Sequence, residues 1–231
     1  MIGRAAAALL APFRRAAHHL RLRLFPVRDP WVRLPYEAPL VMFGDGARHG
    51  FEWVFEGESD VAVGSFDDVV EWLAGCRYES DASLFRESDY WQHPRTFEQF
   101  RRGDCEDFAL WAWRKMVELR IDAELVIGRR VPPGGENSRH AWIVFRDGED
   151  EFVFEPVVQE RTAAVRNVST VRAEYIPEFG VSHDRRRFYF AGYAYFLQNR
   201  HLGRAGDSPA TSTGAREPSV SGHPLAGERR A

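Results

Sequence analysis

The sequence predicts an α+β fold, and two observations carry that prediction. Apolar residues recur at helical spacing in two segments, 65–74 and 104–120, and each segment starts with a residue that caps helices. Three stretches of strand character then follow one another, at 123–127, 140–145 and 151–158. Asp147-Gly148 separates the last two and favours a tight hairpin, which joins antiparallel strands. Separate helical and antiparallel segments are typical of the α+β class.

The first helix has a start signal and a stop signal. Ser65 can accept a hydrogen bond from the first turn, and Phe66, Val69, Val70 and Leu73 share one face. Gly75 is expected to end the helix. Cys76 then lies at the helix exit, where we expect a buried structural thiol.

The hairpin places an acid beside a histidine. If Asp147-Gly148 forms a two-residue turn, His140 lies directly opposite Glu155. If the loop comprises the four residues 147–150, Glu155 is diagonal to His140 but on the same face of the sheet. Either register therefore predicts a carboxylate next to an imidazole.

The last apolar segment, residues 187–197, is rich in aromatic residues and is expected to form a further strand pair or strand end. We expect most of these rings to pack in the core. Upstream of it, Tyr175-Ile-Pro177 indicates an extended edge.

Composition divides the 231 residues into three parts. Residues 1–35 form a basic lead-in with seven arginines against Asp29, and its leucines fit either a frayed segment or an amphipathic helix that contacts an anionic membrane. Residues 36–202 form the folded domain. Residues 203–231 are rich in Gly, Pro and Ser and are expected to be disordered.

Charge and hydropathy exclude some functions. The net charge is −3, which does not indicate a nucleic-acid partner. No apolar run is long enough to span a membrane. The amino terminus matches an export signal poorly, because its short apolar run is followed by Arg14-Arg15, so we expect a cytoplasmic location.

Cys105, His140 and Glu155 together predict nucleophilic chemistry. Cys105 lies in the first turn of the second helix, which begins at Asp104, and the helix dipole there favours the thiolate. His140 could accept the thiol proton and return it to a leaving group. An acid beside that histidine would orient its ring and stabilise its charged form.

These residues also resemble a known family. Gly103-Asp-Cys-Glu-Asp107, His140-Ala-Trp142 and Phe154-Glu-Pro156 resemble the transglutaminase-like superfamily. The first motif resembles the bacterial transglutaminase-like cysteine proteinases, and residues 89–94 are similar to the family segment that precedes the nucleophile. The resemblance covers residues 65–160.

The resemblance implies a papain-like fold, in which the nucleophile helix packs on an antiparallel sheet. It implies that Cys105 is the nucleophile, His140 the general base and acid, and Glu155 the orienting acid. The family more often has aspartate at the last position. The oxyanion donors would be the backbone N–H of Cys105 and a side chain upstream, Trp91 or Gln92.

Asp104, Glu106 and Asp107 surround the cysteine, and two explanations fit them. Asp104 could cap the helix, negative charge in the first turn suits the helix dipole, and the acids could form salt bridges with Arg101, Arg102 or Arg114. Alternatively, they could bind calcium, as the acids around the cysteine do in relatives with this motif. Beyond calcium, the sequence predicts no cofactor.

Three functions are compatible with these residues and motifs. The first is a cysteine hydrolase, a peptidase or amidase, that acts on a protein or peptide through a thioester at Cys105. The second is a transglutaminase or acyltransferase that passes the acyl group to an amine. The third is a binding module without catalysis on the same fold.

Overall fold

The computed structural model describes residues 27–133 and 137–198. The α-helices are α1 Phe66–Ala74, α2 Asp81–Leu84, α3 Pro94–Phe100, α4 Cys105–Glu118, α5 Arg161–Ala164, α6 Val168–Val171 and α7 Gly192–Gln198. The strands are β1 Arg33–Leu34, β2 Arg77–Tyr78, β3 Arg102–Gly103, β4 Ala123–Arg130, β5 Ser138–Asp147, β6 Asp150–Phe154, β7 Val165–Asn167, β8 Tyr175–Val181 and β9 Arg187–Phe190. Two 3-10 turns, Leu40–Phe43 and Phe51–Phe55, precede α1.

Seven of the strands form one antiparallel sheet in the order β1-β9-β8-β4-β5-β6-β7. The short strands β2 and β3 form a separate parallel pair. The predicted α+β class is therefore confirmed.

Helix α4 packs on one face of the sheet. Every residue from Glu106 to Met116 is buried, and the helix shares a core with Ala141 and Ile143 of β5. Alternate residues of β5 point the other way. Trp142 and Val144 lie in a second core with Tyr175 and other residues of the opposite face.

The predicted helix boundaries are confirmed for α1 and α4. The Ser65 side chain accepts from the Asp68 N–H at 3.2 Å, and Asp68 accepts from the Ser65 N–H at 3.0 Å, which closes a capping box. Gly75 is the C-cap of α1, and Cys76 after it is buried. Helix α4 begins at Cys105 as expected.

The hairpin adopts the register predicted for the longer loop. Asp147 pairs with Asp150, and Ile143 pairs with Phe154. The alternative with a two-residue Asp147-Gly148 turn is wrong, because the positive φ of 61° falls on Gly148 with Glu149 as the second turn residue. Strand β6 ends at Phe154, so Glu155 lies just beyond the sheet.

Two expectations for the C-terminal half are wrong. Residues 187–190 form a strand, but residues 192–198 form α7, because the chain turns back on the sheet and Tyr193 packs on Phe179 with ring centroids 5.4 Å apart. Strand β8 is an interior strand between β9 and β4, not an edge. It accommodates Pro177 because the pairing with β4 shifts register there.

The folded part also begins earlier than the composition indicated. Arg33–Leu34 pairs with β9, and Trp31 is buried, so residues assigned to the lead-in belong to the sheet and its core. The predicted amphipathic helix, its membrane contact and the predicted disordered tail lie outside the described residues. Within the described ranges, no helix has the length and apolar character needed to cross a bilayer.

Gly128 allows β4 to approach its neighbours closely. It pairs with His140, and a Cβ at this position would lie 2.7 Å from Cη2 of Trp142 and against the carbonyl oxygen of Ile176. We expect Gly128→Ala to lower the free energy of unfolding by about 1–3 kcal/mol through overpacking. Urea denaturation measures this change. Gly64→Ala is the matched control, because its Cβ would make only an ordinary contact at 3.5 Å. Equal stabilities for the two variants would contradict the expectation.

Candidate active site

A pocket of about 300 Å³ lies where the start of α4 meets the start of β5. Cys105, His140 and Ala141 line it, together with Trp91. Cys105 and His140, which the sequence predicted to act together, therefore line one pocket although α4 and β5 are separate in the chain.

The imidazole of His140 is hydrogen-bonded to a buried carboxylate. Its Nε2 lies 2.7 Å from Oε2 of Glu155, and Glu155 is only 1% exposed. The backbone of Glu155 is held on both sides, since its N–H donates to Ala164 and its carbonyl accepts from Val158. This bond leaves the other ring nitrogen, Nδ1, for a second partner.

The thiol of Cys105 donates to its neighbour rather than to the histidine. Its Sγ lies 3.2 Å from Oε2 of Glu106. Desolvation, followed by the negative charges of Glu106 and Asp104, raises the pKa of the Cys105 thiol well above its usual range. The helix dipole alone predicted a thiolate, but burial and the adjacent carboxylates outweigh it and favour the protonated thiol.

A cluster of carboxyl groups lies next to the cysteine. Burial raises the pKa of Asp81 to about 7 and raises those of Asp104, Glu106 and Asp107, with neighbouring carboxylates adding to the shift. Asp104 is the N-cap residue of α4, as predicted, and Asp107 accepts from the backbone N–H of Asp104. These groups otherwise repel one another at close range.

The expected salt bridges to this cluster are wrong. Arg102 lies 3.5 Å from Glu79, and Arg114 pairs with Glu118 on its own helix at 2.7 Å. Arg101 lies over the ring of Trp72. The three arginines thus interact with residues outside the carboxyl cluster.

The carboxylates could hold a metal ion. Three overlapping groups each bring one ligand atom per residue within 4.8 Å of one another: Asp104, Cys105 and Glu106; Asp81, Asp104 and Asp107; Asp81, Asp89 and Glu106. Oδ1 of Asp81 and Oδ1 of Asp104 are buried and have no hydrogen-bond partner among the described residues. Unsatisfied carboxylate oxygens fit a hard cation such as calcium.

The two side chains expected to stabilise an oxyanion already use their N–H groups. The amide of Gln92 donates to Asp107 and, at 2.9 Å, to the carbonyl of Arg102. The indole N–H of Trp91 donates to Asp89 at 2.9 Å. Trp91 lines the pocket, whereas Gln92 is hydrogen-bonded to Asp107. The backbone N–H of Cys105 is therefore the remaining predicted donor.

Several residues of this site were not predicted from the sequence. Tyr78 and Arg139 line the pocket, and Asp81 and Asp89 complete the carboxylate cluster. Tyr78 arrives through the pairing of β2 with β3, where it lies opposite Gly103. Two of these residues carried a local signal, since Arg139 directly precedes the His140 motif and Asp89 begins the family-like segment 89–94.

The fold and the pocket define an α+β protein with a cysteine, a histidine and a carboxylate at one site. No family model matches the sequence, and no curated protein matches it. Among solved structures, LapG of Legionella pneumophila is similar, with a TM-score of 0.43 and 17% identity over 59% of this chain and 74% of that one. EGTA-treated LapG of the same organism has a TM-score of 0.39 and 18% identity, over 50% of this chain and 60% of that one. Similarity at this level assigns neither a family nor an activity.

After burial, the Glu106 carboxylate contributes most to the raised pKa of the Cys105 thiol. We expect Glu106→Gln to lower the pKa of Cys105, because one negative charge next to the sulfur is removed. The pH profile of alkylation by iodoacetamide, followed by intact mass in the presence of chelator, measures the shift. Glu118→Gln, at the other end of α4, is the matched control. A Glu106→Gln profile identical to that of the control would contradict the expectation.

Proposed function

We propose that this chain is a cysteine hydrolase, a peptidase or amidase, that acts through a thioester at Cys105. The observation that carries the proposal is the 2.7 Å bond between His140 and buried Glu155, in a pocket that Cys105 also lines. A histidine fixed in this way is suited to move a proton to and from a nucleophile. The resemblance of the three sequence motifs supports the same assignment.

The reaction begins with transfer of the thiol proton. The proton moves from Sγ of Cys105 to Nδ1 of His140, while Glu155 accepts the hydrogen bond from Nε2 and stabilises the imidazolium. The sulfur attacks the substrate carbonyl, and the imidazolium gives its proton to the leaving amine. The imidazole then takes a proton from water as the water attacks the thioester carbonyl. The C–S bond breaks, the acid product leaves, and the imidazolium returns its proton to the sulfur, which restores the thiol.

The start of α4 supplies stabilisation of the oxyanion. Free backbone N–H groups at a helix start carry partial positive charge, and that of Cys105 is nearest the sulfur. Asp104 and Glu106 counteract this effect while they are charged. Stabilisation of the oxyanion is therefore strongest when a positive charge offsets Asp104 and Glu106.

We further propose that the carboxylates beside Cys105 bind calcium. Asp81, Asp89, Asp104, Glu106 and Asp107 would supply the oxygen ligands. When bound, the ion supplies positive charge that offsets the carboxylates and favours the thiolate. The buried oxygens of Asp81 and Asp104 without partners among the described residues support this proposal.

A generic ester tests the hydrolase. p-Nitrophenyl acetate is expected to acetylate Cys105, as seen by intact mass, and to be turned over. Cys105→Ala should abolish the adduct, and His140→Ala should slow its formation by about 10²–10⁴-fold. Fluorescent casein then reports on peptide cleavage, and an added primary amine reports on acyl transfer.

Cys76→Ala is the matched control for this experiment. Cys76 is buried, and burial raises the pKa of its thiol to about 11, so its removal should leave acetylation unchanged. Equal acetylation of both cysteines, or a rate independent of His140, would refute the hydrolase.

Calorimetry tests the cation. Calcium binding should strengthen from pH 6 to pH 8 and release protons, because the pKa of Asp81 is raised to about 7 and a protonated carboxyl group is a poor ligand. Asp81→Asn should weaken binding, whereas Asp60→Asn, an exposed acid outside the cluster, should not. Absence of binding at millimolar calcium would exclude this proposal.

A further inference from the structure

We propose that Tyr175 is a positioning residue for the catalytic pair, because its hydroxyl group holds the Glu155 carboxylate against His140. The inference depends on the proposed function in one respect: it assumes that His140 and Glu155 take part in catalysis. Tyr175 is the first residue of β8, outside the span covered by the sequence motifs, and it is completely buried.

The carboxylate of Glu155 is oriented by two hydrogen bonds to one oxygen. Oε2 accepts from the Tyr175 hydroxyl at 3.0 Å and meets Nε2 of His140 at 2.7 Å. The other oxygen, Oε1, is buried and has no partner among the described residues. Without Tyr175, the histidine alone would hold the carboxylate.

A glutamate needs this support more than an aspartate would. Its side chain has one more rotatable bond, and that freedom must be lost if the carboxylate is to stay beside the imidazole. Glu155 also follows the end of β6, where hydrogen bonds hold its backbone but leave its side chain to be oriented separately. The hydroxyl of Tyr175 supplies the missing constraint.

The direction of the Tyr175 hydrogen bond is set by Arg166. Its guanidinium Nη2 donates to the phenolic oxygen at 2.9 Å. Since a guanidinium has no acceptor, the single phenolic proton is free to point to Glu155. Burial, followed by the charge of Glu155, raises the pKa of Tyr175, which keeps that proton in place.

The ring of Tyr175 is held on several sides. The guanidinium groups of Arg166 and Arg130 lie 5.3 and 5.6 Å from its centroid, and both arginines pair with Glu174. Trp142 packs against it edge to face, with ring centroids 5.2 Å apart. The hydroxyl is therefore presented from a rigid support, as a positioning group requires.

The experiment measures the His140–Glu155 bond directly. In ¹⁵N-histidine-labelled protein, the Nε2-bound proton of His140, assigned with His140→Ala, should exchange slowly with water. Tyr175→Phe should accelerate this exchange about tenfold, the factor expected when one hydrogen bond of typical strength is lost. Tyr189→Phe, another buried tyrosine of the same sheet, is the matched control and should leave the exchange unchanged.

Acetylation of Cys105 is measured on the same variants. A fall of about tenfold in Tyr175→Phe, with exchange accelerated, supports the proposal. Accelerated exchange with unchanged acetylation overturns the proposal, because the bond that Tyr175 holds would then not affect the reaction. Absence of acetylation in the unmodified protein contradicts the hydrolase instead and leaves the exchange result to decide the positioning role. Exchange as slow as in the Tyr189→Phe control, or a ring proton unprotected in the unmodified protein, overturns the proposal.

Arg166→Met covers the case in which Tyr175→Phe does not fold, as judged by circular dichroism. It removes the group that directs the phenolic proton but leaves the Tyr175 hydroxyl. We expect the same ring proton to exchange faster in this variant, and unchanged exchange would also overturn the proposal.

Discussion

The docking of α4 on the sheet is the constraint on which the rest of the structure depends. Every residue from Glu106 to Met116 is buried, so the helix cannot slide or rotate without opening the core that it shares with Ala141 and Ile143. Its first residue, Cys105, is consequently held at the beginning of β5. The pocket exists because the capped start of a helix meets the start of a strand at that point.

This docking concentrates unfavourable electrostatics at the helix start. Burial raises the pKa of Asp104, Glu106 and Asp107, and the thiol pKa rises with them. Elsewhere on the same helix a buried charge is neutralised, since Lys115 lies 3.2 Å from Glu118. Groups with strongly shifted pKa values cluster at functional sites, where stability is sacrificed for chemistry.

The two sides of the pocket are therefore organised differently. On the cysteine side, carboxylates face one another without a cation among the described residues that pairs with them. On the histidine side, a hydrogen-bonded chain runs from His140 through Glu155 and Tyr175 to Arg166, so the negative charge is balanced at its end. The first side concentrates groups with raised pKa values, and the second is a rigid support.

The sequence by itself determined the local features: the capped starts of α1 and α4, the hairpin, and the proximity of Glu155 to His140. The helix starts depend on hydrogen bonds and on the spacing of apolar residues within a few positions of the chain. The proximity of His140 and Glu155 depends on the alternation of side chains along two paired strands. Only the tertiary structure decided that residues 192–198 form a helix, that β8 is an interior strand, and that Asp81 and Tyr175 reach the site. Those outcomes depend on packing between segments far apart in the chain, which no local spacing encodes.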